Sequence, residues 1–191
     1  MSGVVVGVDP GVAWHGWVAL AQVEGGAWEI VRCGHHDLER VSSELCGASV
    51  VAIETPAGHA YSAARVKGLL EAAGNAGELR ATARAAGARV VRCSAETWRA
   101  ALVGRATASD EQIAEALRRQ VAAGRLRALP CGLPKSELVH VLDALGLALV
   151  VGARGADWVE RREEERRARA TKQPTLPGLG TKRARRVGRG G

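Results

Sequence analysis

At 191 residues, 47% of them hydrophobic, the chain is long enough for one domain with a sizeable core plus a tail. It has no apolar run of the roughly 18 residues that a membrane span needs and no basic N-terminus leading into an apolar segment, so neither a span nor a secretory signal is expected. The four cysteines (Cys33, Cys46, Cys93, Cys131) lack CxxC spacing, which argues against a zinc site or disulfide framework and for reduced thiols in a cytoplasm. The net charge of +7 is uneven: Lys and Arg balance Asp and Glu 15 to 15 through Ala153, then exceed them 12 to 5 from Arg154 onward. A neutral domain at 1–153 followed by a charged, unstructured basic tail at 154–191 is the expected organisation. The tail either meets a polyanion or simply solubilises the chain.

In chain order, Val4 to Val8 is a β-branched apolar run suited to a strand buried on both faces, ending at Asp9 and the turn pair Pro10-Gly11. Extended runs follow at 14–23, with Trp14 at its start, and at 28–34, with Gly25-Gly26 between them, predicting an antiparallel meander of three strands. Residues 37–46 are polar and weakly helical. Residues 49–54 (SVVAIE) form a fourth strand that again ends in a carboxylate, Glu54, before Thr55-Pro56-Ala57-Gly58 breaks it. A long helix is predicted over 61–86, where Gly74 and Gly77 each cost roughly 1 kcal/mol against alanine and imply close approach of a neighbouring element. A fifth strand at 88–93 precedes Ser94, the N-cap of a short helix carrying Trp98 and Arg99. Ser109 and Gln112 form a capping box for a helix over 110–123, and a last helix runs over 136–151. The mixed-charge run after Gly155 would extend as a solvated helix, and the segment from Gln173 has the composition of disorder.

Four groups stand out: Asp9, Glu54, His140 and Asp143. His140 and Asp143, three residues apart, share a helix face, and the two acids at strand ends lie within a few ångströms of each other if those strands are neighbours. Two readings stand for each group. Asp9 is a turn residue capping its own backbone or a metal ligand; His140 and Asp143 are a satisfied histidine and a surface charge, or further ligands. Like charges at close range are costly unless cations intervene, and three carboxylates with one imidazole suit Mg²⁺ or Mn²⁺.

GVDPG at one strand end, VAIE at another and HVLDALGLAL near the end of the domain, with AETWRAALVGRATASDEQI between them, resemble the RuvC family of Holliday junction resolvases over about Val4 to Val151. The resemblance implies an α/β, RNase H-like fold: a mixed five-stranded sheet, its first three strands antiparallel, flanked by helices. It also implies a homodimer with the Gly74–Gly77 helix near its interface, and two Mg²⁺ ions per site held by Asp9, Glu54, His140 and Asp143, with Asp9 shared. Mn²⁺ would substitute. The activity implied is paired phosphodiester hydrolysis of branched DNA in a bacterial or phage-encoded protein. Tyr61, Arg65, Lys67, Arg99 and Arg105 are the candidate DNA contacts, with Tyr61 or His59 serving for the aromatic that relatives stack on a junction base. Arg99 stands where many relatives carry lysine, and Asp110 reverses the charge of a second lysine. Alternatives are an RNase H-type nuclease on RNA–DNA hybrids and a non-catalytic nucleic-acid-binding protein. Gln173–Leu179 (QPTLPGL) loosely resembles a peptide that binds a sliding clamp.

Overall fold

The computed structural model describes residues 3–55 and 63–172, with side chains from 66 to 171 in the second segment. His59, Tyr61 and Gln173–Leu179 lie outside the described residues, as does the side chain of Arg65.

Five strands, β1 (Val5–Pro10), β2 (His15–Gln22), β3 (Trp28–His36), β4 (Val50–Thr55) and β5 (Arg89–Ser94), form one sheet in the order β3-β2-β1-β4-β5. The first three pair antiparallel, while β4 joins β1 and β5 joins β4 in parallel, as expected. The helices are α1 (Leu38–Glu44), α2 (Ala63–Ala85), α3 (Ala95–Val103), α4 (Asp110–Ala122), α5 (Lys135–Arg154) and α6 (Ala156–Lys172). Side chains alternate across the strands. Val6, Val8, Ala19, Val51 and Ile53 face α1 and α2, with Val41, Leu45, Ala76 and Leu79. Val5, Val18, Leu20, Ala52 and Val91 face the other helices, with Trp98, Leu145 and Leu147.

α5 is apolar enough and long enough to cross a membrane, yet here it is the core helix, lying across β1 and β2. Two glycines let it come close. A Cβ on Gly7 would stand 2.2 Å from the Ala144 carbonyl oxygen, and one on Gly16 would stand 2.4 Å from the His140 carbonyl. Because Gly16 pairs with Asp9 across β1 and β2, this seat carries His140 to the acid.

Three expectations are corrected. Strand β2 begins at His15, leaving Trp14 in the turn and 55% exposed. Asn75 pins that turn by donating its amide to the carbonyls of Gly11 (3.1 Å) and Val12 (2.8 Å). Gly74 and Gly77 receive no close neighbour among the described residues; a Cβ at Gly74 would meet nothing within 4 Å. Finally, the unstructured tail does not begin at Arg154. α6 buries Ala156, Val159 and Glu163 against the domain, because its apolar positions complete the core beside β5 and α3.

Candidate active site

Asp9 and Glu54 each lie one residue beyond the Val8–Ile53 pair of the parallel strands β1 and β4, so they stand abreast at the C-terminal edge of the sheet. α5 crosses that edge. Its His140 Nδ1 lies 2.8 Å from Asp9 Oδ2, and Asp143, one turn on, is 8% exposed. α3 supplies the remaining partners. Trp98 Nε1 donates to Glu54 Oε2 at 2.7 Å, and Arg99 Nη2 donates to Asp143 Oδ2 at 2.9 Å. The short α3 holds both side chains because Ser94 caps it (Thr97 N–H to Ser94 Oγ, 3.3 Å) and Gly104 ends it with φ of 86°.

The electrostatics are those of an acid cluster short of positive charge. Burial, reinforced by Asp9 and then Asp143, pushes the Glu54 carboxyl up to about 8 against the pull of the Trp98 bond and of Arg99. Burial and the Asp9 charge likewise push Asp143 up to about 6, Arg99 opposing them. His140 moves up because Asp9 accepts from its ring. Asp110, at the start of α4, adds to the negative field on both His140 and Asp143.

The donor set suits a hard divalent cation: oxygen-rich, one imidazole, and with like charges that an ion would relieve. In the present arrangement each donor is turned to a protein partner. Among the described residues no three His, Cys, Asp or Glu side chains are gathered tightly enough to hold an ion. An ion would exchange the Trp98, Arg99 and His140 bonds for its own.

Asp9, Glu54, His140 and Asp143 lie near one edge of the sheet, close enough to act on one another electrostatically, without forming a preformed ion site among the described residues. The predicted DNA contacts do not all remain at the surface. Arg99 is turned inward, bonded to Asp143 and to the Ala108 carbonyl (3.4 Å), because the acid field captures its guanidinium. Lys67 is exposed and paired with Glu71 at 3.6 Å, and Arg105 is exposed. Sequence reasoning missed the donor role of Trp98 and a ring stack beside His140. His35 of β3 lies 5.2 Å from His140 with planes 9° apart, and Trp14 lies 6.1 Å from His35. Beneath them His15 is fully buried, accepting from the Gly11 N–H on Nδ1 (3.1 Å), which leaves its proton on the unpaired Nε2. The available signal was the concentration of His and Trp at the ends of β2 and β3.

No protein-family model matches the sequence, and no curated protein does. Solved structures do. The chain is similar to Thermus thermophilus RuvC in complex with Holliday junction substrate, with a TM-score of 0.59 and 20% identity over 85% of this chain and 96% of that one. It is similar to T. thermophilus RuvC alone (TM-score 0.55, 21% identity, 80% and 97% covered). The yeast mitochondrial Holliday junction resolvase Ydc2 also matches, with a TM-score of 0.52, 11% identity and 83% of each chain covered. At these identities the likeness establishes a RuvC-type fold.

Proposed function

We propose that this chain, built on a RuvC-type fold, is a divalent-metal-dependent endonuclease that resolves Holliday junctions or related branched DNA. The observation that carries the reading is the placement of Asp9, Glu54 and Asp143 near one sheet edge, within electrostatic reach of one another, with two of the three carboxyls raised by burial and mutual repulsion. Each acid is held by a protein donor, yet two of them stay raised, the state of carboxyls that a bound cation would relieve. Neighbours of the same fold include one solved with a Holliday junction.

Asp9, Glu54, His140 and Asp143 would hold two Mg²⁺ ions, or Mn²⁺ in their place, with Asp9 shared. Such ions, when bound, supply an ionised water near neutral pH and neutralise charge on the leaving oxygen. The protein's part is orientation. Before an ion enters, Asp9 holds the His140 ring through Nδ1, Trp98 holds Glu54 and Arg99 holds Asp143, so the ligands wait at the sheet edge. Water attacks phosphorus in line; the new P–O bond forms as the bond to the 3′ oxygen breaks, giving 5′-phosphate and 3′-hydroxyl ends. The exposed Lys67 and Arg105 are the candidate phosphate contacts, and the basic composition of the sequence after Lys172 suits the same polyanion.

A homodimer would give two sites for paired cuts on a two-fold junction. Its support is one stripe of α2 at helical spacing: Val66 (42% exposed), Leu70 (68% exposed) and Gly74, beside which a Cβ would meet nothing within 4 Å, followed by the half-buried Gly77.

The test is cleavage of a synthetic four-way junction with Mg²⁺, against linear duplex and RNA–DNA hybrid. Paired nicks in the junction, lost with EDTA and in Asp9→Asn and Asp143→Asn, are expected. Preferred cutting of the hybrid would turn the reading to an RNase H-type nuclease. Binding without cutting under all metal conditions would turn it to a nucleic-acid-binding protein. Capture of a sliding clamp by the full chain, lost when 173–179 is deleted, tests the clamp peptide.

A further inference from the structure

The face of α3 turned away from the acid cluster lines a second feature. On a helix of 3.6 residues per turn, Trp98 and Arg99 point one way, while Glu96, Thr97, Ala100 and Ala101 point the other. These four, with α6 and the end of α5, enclose a groove of about 480 Å³. α6 contributes Trp158, Arg162, Glu165, Arg166 and Arg169, which recur at spacings of 4, 3, 1 and 3 and so form one stripe. Arg154, the last residue of α5, closes the end.

The stripe is built around an aromatic. The Arg154 and Arg162 guanidinium carbons lie 5.6 and 5.5 Å from the centroid of the Trp158 ring. Stacking holds each planar fork while leaving its edge N–H donors for a ligand. The acids of the groove are already engaged. Glu165 pairs with Arg162 (2.9 Å), and Glu96 with Arg166 (3.6 Å). Arg154 and Arg169 have no carboxylate partner among the described residues. Of the other acids of α6, Asp157, Glu160 and Glu163 bond Arg89 and Ser94, and Glu164 lines a separate pocket with Glu160 and Glu163.

We infer that this groove is a second nucleic-acid-binding site, gripping the phosphate backbone of a DNA arm away from the strand being cut. The inference rests on the reading that the chain engages DNA. Length selects the ligand: Trp158 to Arg169 spans 11 steps, about 16 Å of helix, which suits a linear polyanion better than a lone phosphate. The chain's own tail is not the occupant, since no acidic side chain occurs after Glu165. A membrane surface is disfavoured because Trp158 is the only large apolar side chain on the stripe.

The experiment measures binding of the full chain, carrying Asp9→Asn to prevent cutting, to a labelled four-way junction between 50 and 200 mM salt. The groove pair Arg154→Gln and Arg169→Gln is compared with a control pair, Arg161→Gln and Arg167→Gln, which removes equal charge from other faces of α6. Losing two phosphate contacts lowers the slope of log affinity against log salt by about two, so the affinity ratio between the two salts shrinks about tenfold. The control pair is expected to change that ratio less than threefold. Equal shifts in both pairs, or none in the groove pair, overturn the site. So does loss of binding to phosphatidylserine vesicles by the groove pair with junction binding intact. No binding of junction by the parent chain overturns both this site and the nuclease reading. A groove effect in a chain whose native form cuts no junction sinks the nuclease alone.

Discussion

Glu54 and Glu163 are the same side chain, and both bond to helix α3, yet their surroundings are opposite. Glu54 accepts one hydrogen bond, from Trp98, and shares its pocket with two other carboxylates; its carboxyl is pushed up to about 8. Glu163, 3% exposed, accepts the Ser94 N–H (2.8 Å), the Ser94 hydroxyl (2.7 Å) and Arg166 Nε (3.2 Å). Burial alone would push Glu163 up, but bonds from Thr97 and Ser94, with Arg166, hold it below its ordinary value. One acid is satisfied and structural; the other is left short of positive charge, at the site proposed for chemistry. The two are also linked, because Glu163 braces Ser94, Ser94 caps α3, and α3 carries Trp98 and Arg99 to the acid cluster.

The largest test of this contrast is Glu54→Gln. Junction cleavage should fall at least about a thousandfold, the loss of a ligand that stabilises transition-state charge. Stability should move the other way. An unfolded glutamate ionises near its ordinary 4.5 while folded Glu54 keeps its proton to about 8, so metal-free parent protein loses stability as pH rises through that window. The variant lacks that loss and should be more stable by on the order of 3 kcal/mol at pH 8, with little difference at pH 4, read by thermal melts in EDTA. Mg²⁺ should raise the melting temperature of the parent more than that of the variant. A destabilised Glu54→Gln protein would break the contrast.

Gly16→Ala comes next. Its methyl would meet the His140 backbone at 2.4 Å, so α5 must shift, at about 2–3 kcal/mol in denaturant melts and with loss of cleavage. Glu163→Gln should cost about 2 kcal/mol at pH 7 by weakening three bonds to one buried carboxylate. Because the folded value of Glu163 is depressed, its contribution is present above the ordinary 4.5 and is lost as pH falls through the folded value. The deficit of the variant should therefore shrink in acid, opposite in sign to Glu54→Gln. The smallest effect is expected of His35→Ala, which removes the ring stacked on His140: a few-fold slower cleavage, about 0.5–1 kcal/mol. Rescue by His35→Phe would separate stacking from charge.

Much of the fold could be read from local signals. β-branched runs marked β1 and β4, Ser94 and Ser109 marked helix starts, and two carboxylates at strand ends marked the candidate site. The bond from Arg99 to Asp143 was not legible, since a cation on a short helix looks the same whether it faces DNA or an acid on another element. The segment after Arg154 misled for a related reason. Its charge run carries the composition of a solvated helix, and only Ala156, Val159 and the buried Glu163 show that one face is packed.

The sequence by itself determined which segments become strands and helices, because propensity, capping and turn chemistry act within a few residues. It also determined that acids would sit at the ends of buried strands. Tertiary structure decided which groups meet. His140 reaches Asp9 across 131 residues only because Gly16 lacks a side chain where α5 crosses the sheet. The same holds for α6, which turns Trp158, Arg162 and Arg169 to one groove and Glu163 to Ser94 once Val159 is packed against the core. Such pairings depend on packing between distant elements, and no local pattern encodes them.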